Sequence, residues 1–202
     1  MDPLQLFGAL SVILFLAGTI PYIIDILRGN TKPHRMAMFI FVVLSAIAFT
    51  GQLLEGAEAS LWFAGVLLIN QITLFILSFK YGMGGFTTRE KISLALTALI
   101  LIFWYLTDSV AIALVLTVTV NTIGKLLIMA KVYDHPYTEL LYSWIMSTFA
   151  SVFAVLAVGE LDWLLILVPA QNAITVGIVA GIIIIRRKQL KLTHTHHDKA
   201  TN

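Results

Sequence analysis

The chain has 202 residues, 59% of them hydrophobic and 12% charged, where a soluble domain is roughly 45–50% apolar and about 25% charged. That balance excludes an ordinary soluble domain and predicts a chain embedded in a lipid bilayer. The absence of cysteine excludes disulfides, thiolate nucleophiles and cysteine metal sites, and a net charge of +2 gives no sign of a nucleic-acid partner.

Apolar runs close to the roughly 20 residues needed to cross a bilayer predict seven helical spans, at 4–27, 36–54, 60–79, 92–107, 109–130, 140–158 and 161–185. The first is read as a permanent helix. It carries Asp2 where a secretory signal has a basic region, and no small-residue cleavage site follows. Within it, Pro21 removes an intrahelical hydrogen bond and acts either as a hinge or as a packed bend. Tyr22 and Asp25 follow toward the loop, and Asp25 is also a candidate proton site. Span three carries Asn70 and Gln71, amides that are costly in hydrocarbon unless hydrogen-bonded. They therefore face a cavity or join helices together. Span four is the shortest. Span five carries Gly124, which can lend flexibility, and Lys125, whose ammonium either snorkels to the interface or meets an anion or carboxylate. Pairing of Lys125 with Asp25 would close one mouth of the bundle. Trp144 in span six reads as a packing residue, like Phe41 in span two, and Trp62 and Trp163 read as interfacial anchors. Span seven carries Gln171, Asn172 and Pro169, the last read as a bend. The tail histidines His194, His196 and His197 belong to a segment expected to be disordered.

The charges fix an orientation for this set. All 13 Lys and Arg fall between spans one and two, between three and four, at the end of span five or after span seven. The opposite side carries Asp2, Glu55, Glu58, Asp108, Glu160 and Asp162 and no basic residue. Positive charge is retained in the cytoplasm on insertion, so the N-terminus is expected outside and the C-terminus inside. The basic side is also suited to anionic lipid headgroups.

The chain also repeats itself. Asn-Gln-Ile-Thr at 70–73 returns as Asn-Ala-Ile-Thr at 172–175. A shift of about 103 residues pairs Thr19 with Thr122, Pro21 with Gly124, Tyr22 with Lys125, Arg28 with Lys131, Pro33 with Pro136, Phe41 with Trp144 and Gly56 with Gly159. Each copy has three spans. The fourth span restores the orientation of the second copy, so the two repeats are parallel. The expected fold is an all-α membrane protein of seven transmembrane helices in two parallel three-helix bundles. Residues 1–82 form the first repeat, 83–108 the linker helix, 109–188 the second repeat and 189–202 a cytoplasmic tail.

This 3+1+3 plan, with Ile20-Pro21-Tyr22, Asp25, Arg28, Thr31-Lys32 and Pro33 following the order of a first-helix PQ-loop segment, resembles the SWEET and PQ-loop superfamily of transporters and receptors. SWEETs are built from parallel repeats of this kind. Tyr22 stands where the family has Gln, and Gly124-Lys125 replaces the Pro-Gln pair in the second half. The resemblance implies a pocket asparagine on the third helix of each half, at Asn70 and Asn172. The pocket tryptophan it implies on helix six finds no tryptophan around 151–156.

The resulting expectation is a transporter of a small polar solute, sugar-like or another metabolite, working by alternating access of the two bundles. Asn70, Asn172, Gln71 and Gln171 are the candidate substrate-binding residues, and Pro21, Tyr22, Asp25, Gly124 and Lys125 the candidate gate or hinge residues. The alternative on the same fold is a non-transporting membrane receptor or sorting protein, as the KDEL receptor is. An enzyme is not expected, because no acid–base cluster is present. No zinc motif or phosphate-binding loop appears, so no cofactor or metal is expected, and span seven lacks the lysine of a retinal photoreceptor. The partners expected are the solute and the lipid bilayer, with homo-oligomerisation left open. Short loops favour a bacterial inner membrane.

Overall fold

The computed structural model describes residues 3–54, 59–85, 87–106, 110–157 and 163–200. Among them are seven α-helices and no strand: α1 (Pro3–Leu27), α2 (Arg35–Leu54), α3 (Ala59–Tyr81), α4 (Thr88–Tyr105), α5 (Val110–Asp134), α6 (Leu141–Leu156) and α7 (Trp163–Ala200). Three stretches of the described residues are long and apolar enough to cross a membrane, Pro3–Leu27, Val115–Asp134 and Ile166–Lys191. Arg35–Ala46, Leu67–Tyr81 and Leu141–Leu156 are shorter apolar stretches. The sequence places the end of the last span near 185 and a tail at 189–202; in the structure α7 continues as far as Ala200. Asp2, Glu55, Gly56, Glu58, Asp108, Gly159, Glu160 and Asp162 lie outside the described residues, as do the side chains of Trp62, Trp163 and the tail histidines.

Local chemistry sets several helix ends. α1 begins on Pro3, a position where the missing N–H costs nothing. It ends before Gly29, whose φ of 80° suits a left-handed turn. Asp25 closes that turn by accepting hydrogen bonds from the Asn30 side-chain amide and the Thr31 hydroxyl. α4 starts with a capping box. Thr87 N–H donates to Glu90 Oε2 at 2.8 Å, and Glu90 N–H points back to the Thr87 hydroxyl at 3.4 Å. Between α5 and α6, Pro136 opens a single 3-10 turn over Pro136–Thr138.

The helix neighbours form a ring in the order α1, α6, α7, α5, α2, α3 and back to α1, with α4 packed outside on α5 and α2. Exchanging α1 with α5, α2 with α6 and α3 with α7 maps this ring onto itself. The two seams where the halves meet, α1–α6 and α2–α5, therefore correspond to each other. Glycines allow both close approaches. A Cβ on Gly18 would stand 3.0 Å from Met146 Cβ, and one on Gly124 would stand 2.7 Å from the Phe41 ring.

The tightest packing lies toward one end, where Ile26, Ile40, Ile128, Val132, Val179 and Ile183 are fully buried. The connections at that end are tied to one another. Lys32 N–H donates to Thr138 O, Arg35 N–H to Met83 O and Met83 N–H to Pro33 O, each at 2.8 Å. The Arg187 guanidinium on α7 donates to the Pro136 and Glu139 carbonyls. The outer helix faces are apolar: Ile13, Ile69, Leu99, Ile102 and Ile174 are each at least 60% exposed.

Candidate functional site

A cavity of about 250 Å³ lies inside the ring and draws its walls from α1, α2, α3, α5, α6 and α7. No described residue of α4 lines it. The volume is just below the roughly 300–1,000 Å³ typical of sites for drug-sized ligands, so it suits a small metabolite.

Both repeated asparagines line this cavity. In their shared motif, Thr73 donates its hydroxyl to Ile69 O at 2.8 Å, and Thr175 donates its hydroxyl to Gln171 O at 2.9 Å. Each threonine thus satisfies itself on the preceding turn. The surroundings of the two asparagines differ. The Asn172 amide N–H donates to Ser151 Oγ at 2.7 Å, and Ser151 in turn donates to Ser147 O. Asn70 has no side-chain hydrogen bond among the described residues.

The glutamines separate. Gln71 lines the cavity, and its buried Oε1 has no partner among the described residues. Gln171 does not reach the cavity; its side-chain amide donates to Thr122 Oγ1 at 3.0 Å and joins α7 to α5. The two residues lie on opposite sides of their Asn, and a 100° step per residue turns one toward the cavity and the other toward a neighbouring helix.

Of the candidate gate residues, Tyr22 and Lys125 line the cavity and Pro21, Asp25 and Gly124 do not. Pro21 sits within one continuous helix, and Gly124 packs against Phe41. Asp25 is held by Asn30 and Thr31 rather than by Lys125. The ammonium of Lys125 lies 5.4 Å from the centroids of both Phe41 and Trp144, a cation between two aromatic faces. Phe41 and Trp144 are repeat mates, and so are Tyr22 and Lys125. Two repeat-related pairs therefore meet at one end of the cavity. Phe41 and Trp144 were expected to serve in packing; they also form cavity wall. The ring that helix six contributes is Trp144, about two turns before the 151–156 stretch.

Glu139 anchors this arrangement, and the sequence reading passed over it. It is 2% exposed. Its carboxylate pairs with the ammonium of Lys131 and accepts the Trp144 indole N–H at 3.0 Å. Lys131 is thus buried in an ion pair. Asn121 was also missed. It lines the cavity with a buried, unpartnered Oδ1. Its signal was available, since an amide in the apolar run around Val120 poses the same problem as Asn70. Ser143 and Ser147 complete the polar wall.

A second recess lies where the α1–α2 and α3–α4 connections meet. Its lining includes His34, Glu90, Lys131 and Asp134, and His34 Nε2 is 3.4 Å from Glu90 Oε1. Burial lowers the His34 pKa to about 4 despite the neighbouring carboxylate. Burial would raise the pKa of Glu90, but hydrogen bonds from the Thr87 hydroxyl and the Thr87 and Gly85 N–H groups, with His34 beside it, bring it below the usual carboxylate value. No cluster of three or more metal-binding side chains occurs among the described residues. Comparison of the chain with protein-family models, with curated proteins and with solved structures gives no match.

Proposed function

We propose that the chain is a seven-span membrane transporter of a small polar solute. In this reading α1–α3 and α5–α7 are two parallel three-helix bundles, α4 is the linker that restores orientation, and the basic ends face the cytoplasm. The observation that carries it is the cavity walled from both repeats, with Asn70 and Asn172 in its lining. The self-mapping ring of helix neighbours supports the duplicated plan. The apolar outer faces suit a hydrocarbon solvent, where they cost nothing, and would be an aggregation hazard in water. The two bundles meet along α1–α6 and α2–α5, and rocking along those seams would open the cavity to each side in turn.

Uptake into proteoliposomes, measured for a panel of sugars, polyols, amino acids and organic acids, tests the reading. Asn70→Leu and Asn172→Leu each remove a polar contact while keeping side-chain volume. Each is expected to lower uptake of the transported compound roughly tenfold or more, as the loss of a buried hydrogen bond implies. Full uptake by both variants would eliminate the site. Saturable binding without uptake by the wild type would favour the receptor reading instead.

A further inference from the structure

Among the described residues the cavity has one formal charge in its walls, the ammonium of Lys125. The rings of Phe41 and Trp144 hold that cation in place but accept none of its N–H bonds in the ordinary way. No ion pair or hydrogen bond to Lys125 occurs among the described residues. Glu139 is committed to Lys131 and to the Trp144 indole. Lys131 is thus neutralised by Glu139, and the half-buried ammonium on the cavity wall is left without a paired carboxylate among the described residues. A charge held partly out of water without a counter-ion is costly, and a bound anion lowers that cost.

The neutral groups narrow the class. Among the described residues, Gln71 Oε1 and Asn121 Oδ1 are buried acceptors without donors. A simple inorganic anion would leave the two acceptors empty; hydroxyl groups on the solute would fill them. A zwitterion fits less well, because among the described residues no Asp or Glu lines the cavity to receive an ammonium group. A lone lysine also suits a monoanion better than a phosphate dianion. We infer that the solute is a small hydroxy-carboxylate, its carboxylate on Lys125 between Phe41 and Trp144 and its hydroxyls on Gln71 and Asn121. This inference rests on the transport reading and names the substrate class of the same site.

Three probes on one carbon skeleton test it: glycerate, glycerol and serine, compared by competition in uptake and by shift of the melting temperature of the detergent-purified protein. The wild type is expected to respond to glycerate at concentrations at least roughly tenfold below those needed for glycerol or serine, the scale of a charge-assisted hydrogen bond. Lys125→Gln should abolish that preference, and Lys125→Arg should retain part of it. The wild-type comparison stands even where Lys125→Gln fails to fold. Glycerol or serine matching glycerate in the wild type, or a folded Lys125→Gln that keeps the preference, would overturn the hydroxy-carboxylate assignment and leave transport intact. No response to these probes or to the wider metabolite panel would instead overturn the transport reading, and this inference with it.

Discussion

Asn70 and Asn172 hold the same place in their repeats and carry different loads. Asn172 is tied to Ser151 across the α6–α7 contact, whereas Asn70 has no such tie among the described residues. A hydrogen bond between membrane helices contributes about 0.6 kcal/mol on average. Asn172→Ala is therefore expected to lower the melting temperature by about 2 °C, and Asn70→Ala to leave it unchanged, while both weaken solute binding. Equal thermal losses in the two variants would show that Asn70 also bonds to protein. Among single residues, the local motif told which amides matter, but not what each one touches. Gln71 follows its Asn and Gln171 precedes its own, so the two project differently, and the structure takes Gln171 to Thr122.

At the scale of the element, α4 stands apart from the ring and is fastened at its N-terminus by the capping box and by the contact between Glu90 and His34. The His34 pKa falls from the ordinary 6.5 to about 4 because burial disfavours its charged form. Above pH 6.5 the imidazole is neutral whether folded or unfolded, and its contribution is fully present. As the pH falls from 6.5 toward 4 the unfolded chain takes up the proton first, so stability is lost across that window. Glu90, whose pKa is lowered, acts in the same direction, losing its contribution as the pH falls through its folded value. The loss from His34 is on the order of 3 kcal/mol. Melting curves at pH 7.5 and pH 4.5 should therefore show a smaller acid-induced drop for His34→Gln than for the wild type; identical drops would remove His34 from the account. The capping box was readable as Thr87-x-x-Glu90, whereas the burial of His34 against it depends on the meeting of two distant connections.

For the whole molecule, the proposed orientation rests on the placement of the basic residues toward one end of the spans. The cysteine-free chain makes it directly measurable. A cysteine replacing Glu58 or Asp162 should react in intact cells with an impermeant thiol reagent, and one replacing Arg89 should be protected. The reverse pattern would invert the topology. Buried ionic chemistry at the basic end was not legible in this way. Lys131 ends span five and Glu139 lies beyond the turn at Pro136, and they form the buried pair whose carboxylate accepts the Trp144 indole N–H.

Sequence alone determined the helical class, the apolar runs, the polarity of the two ends and the recurrence of Asn70 at Asn172, because run length, charge placement and repetition are local properties of a chain. Three helices long and apolar enough for a membrane, with the helix order around the ring, are what the structure adds to those spans. Only the tertiary structure decided which polar groups share a space. It brought Asn121, Tyr22 and Lys125 to the same cavity as the repeated asparagines and set Phe41 and Trp144 on either side of the lysine. It also turned Gln171 and Asp25 to other partners. The physical reason is that a helix apolar on nearly every side has no strong amphipathic signal to fix its rotation. Close packing against its neighbours, through contacts such as Gly18 with α6 and Gly124 with Phe41, selects the face that looks inward.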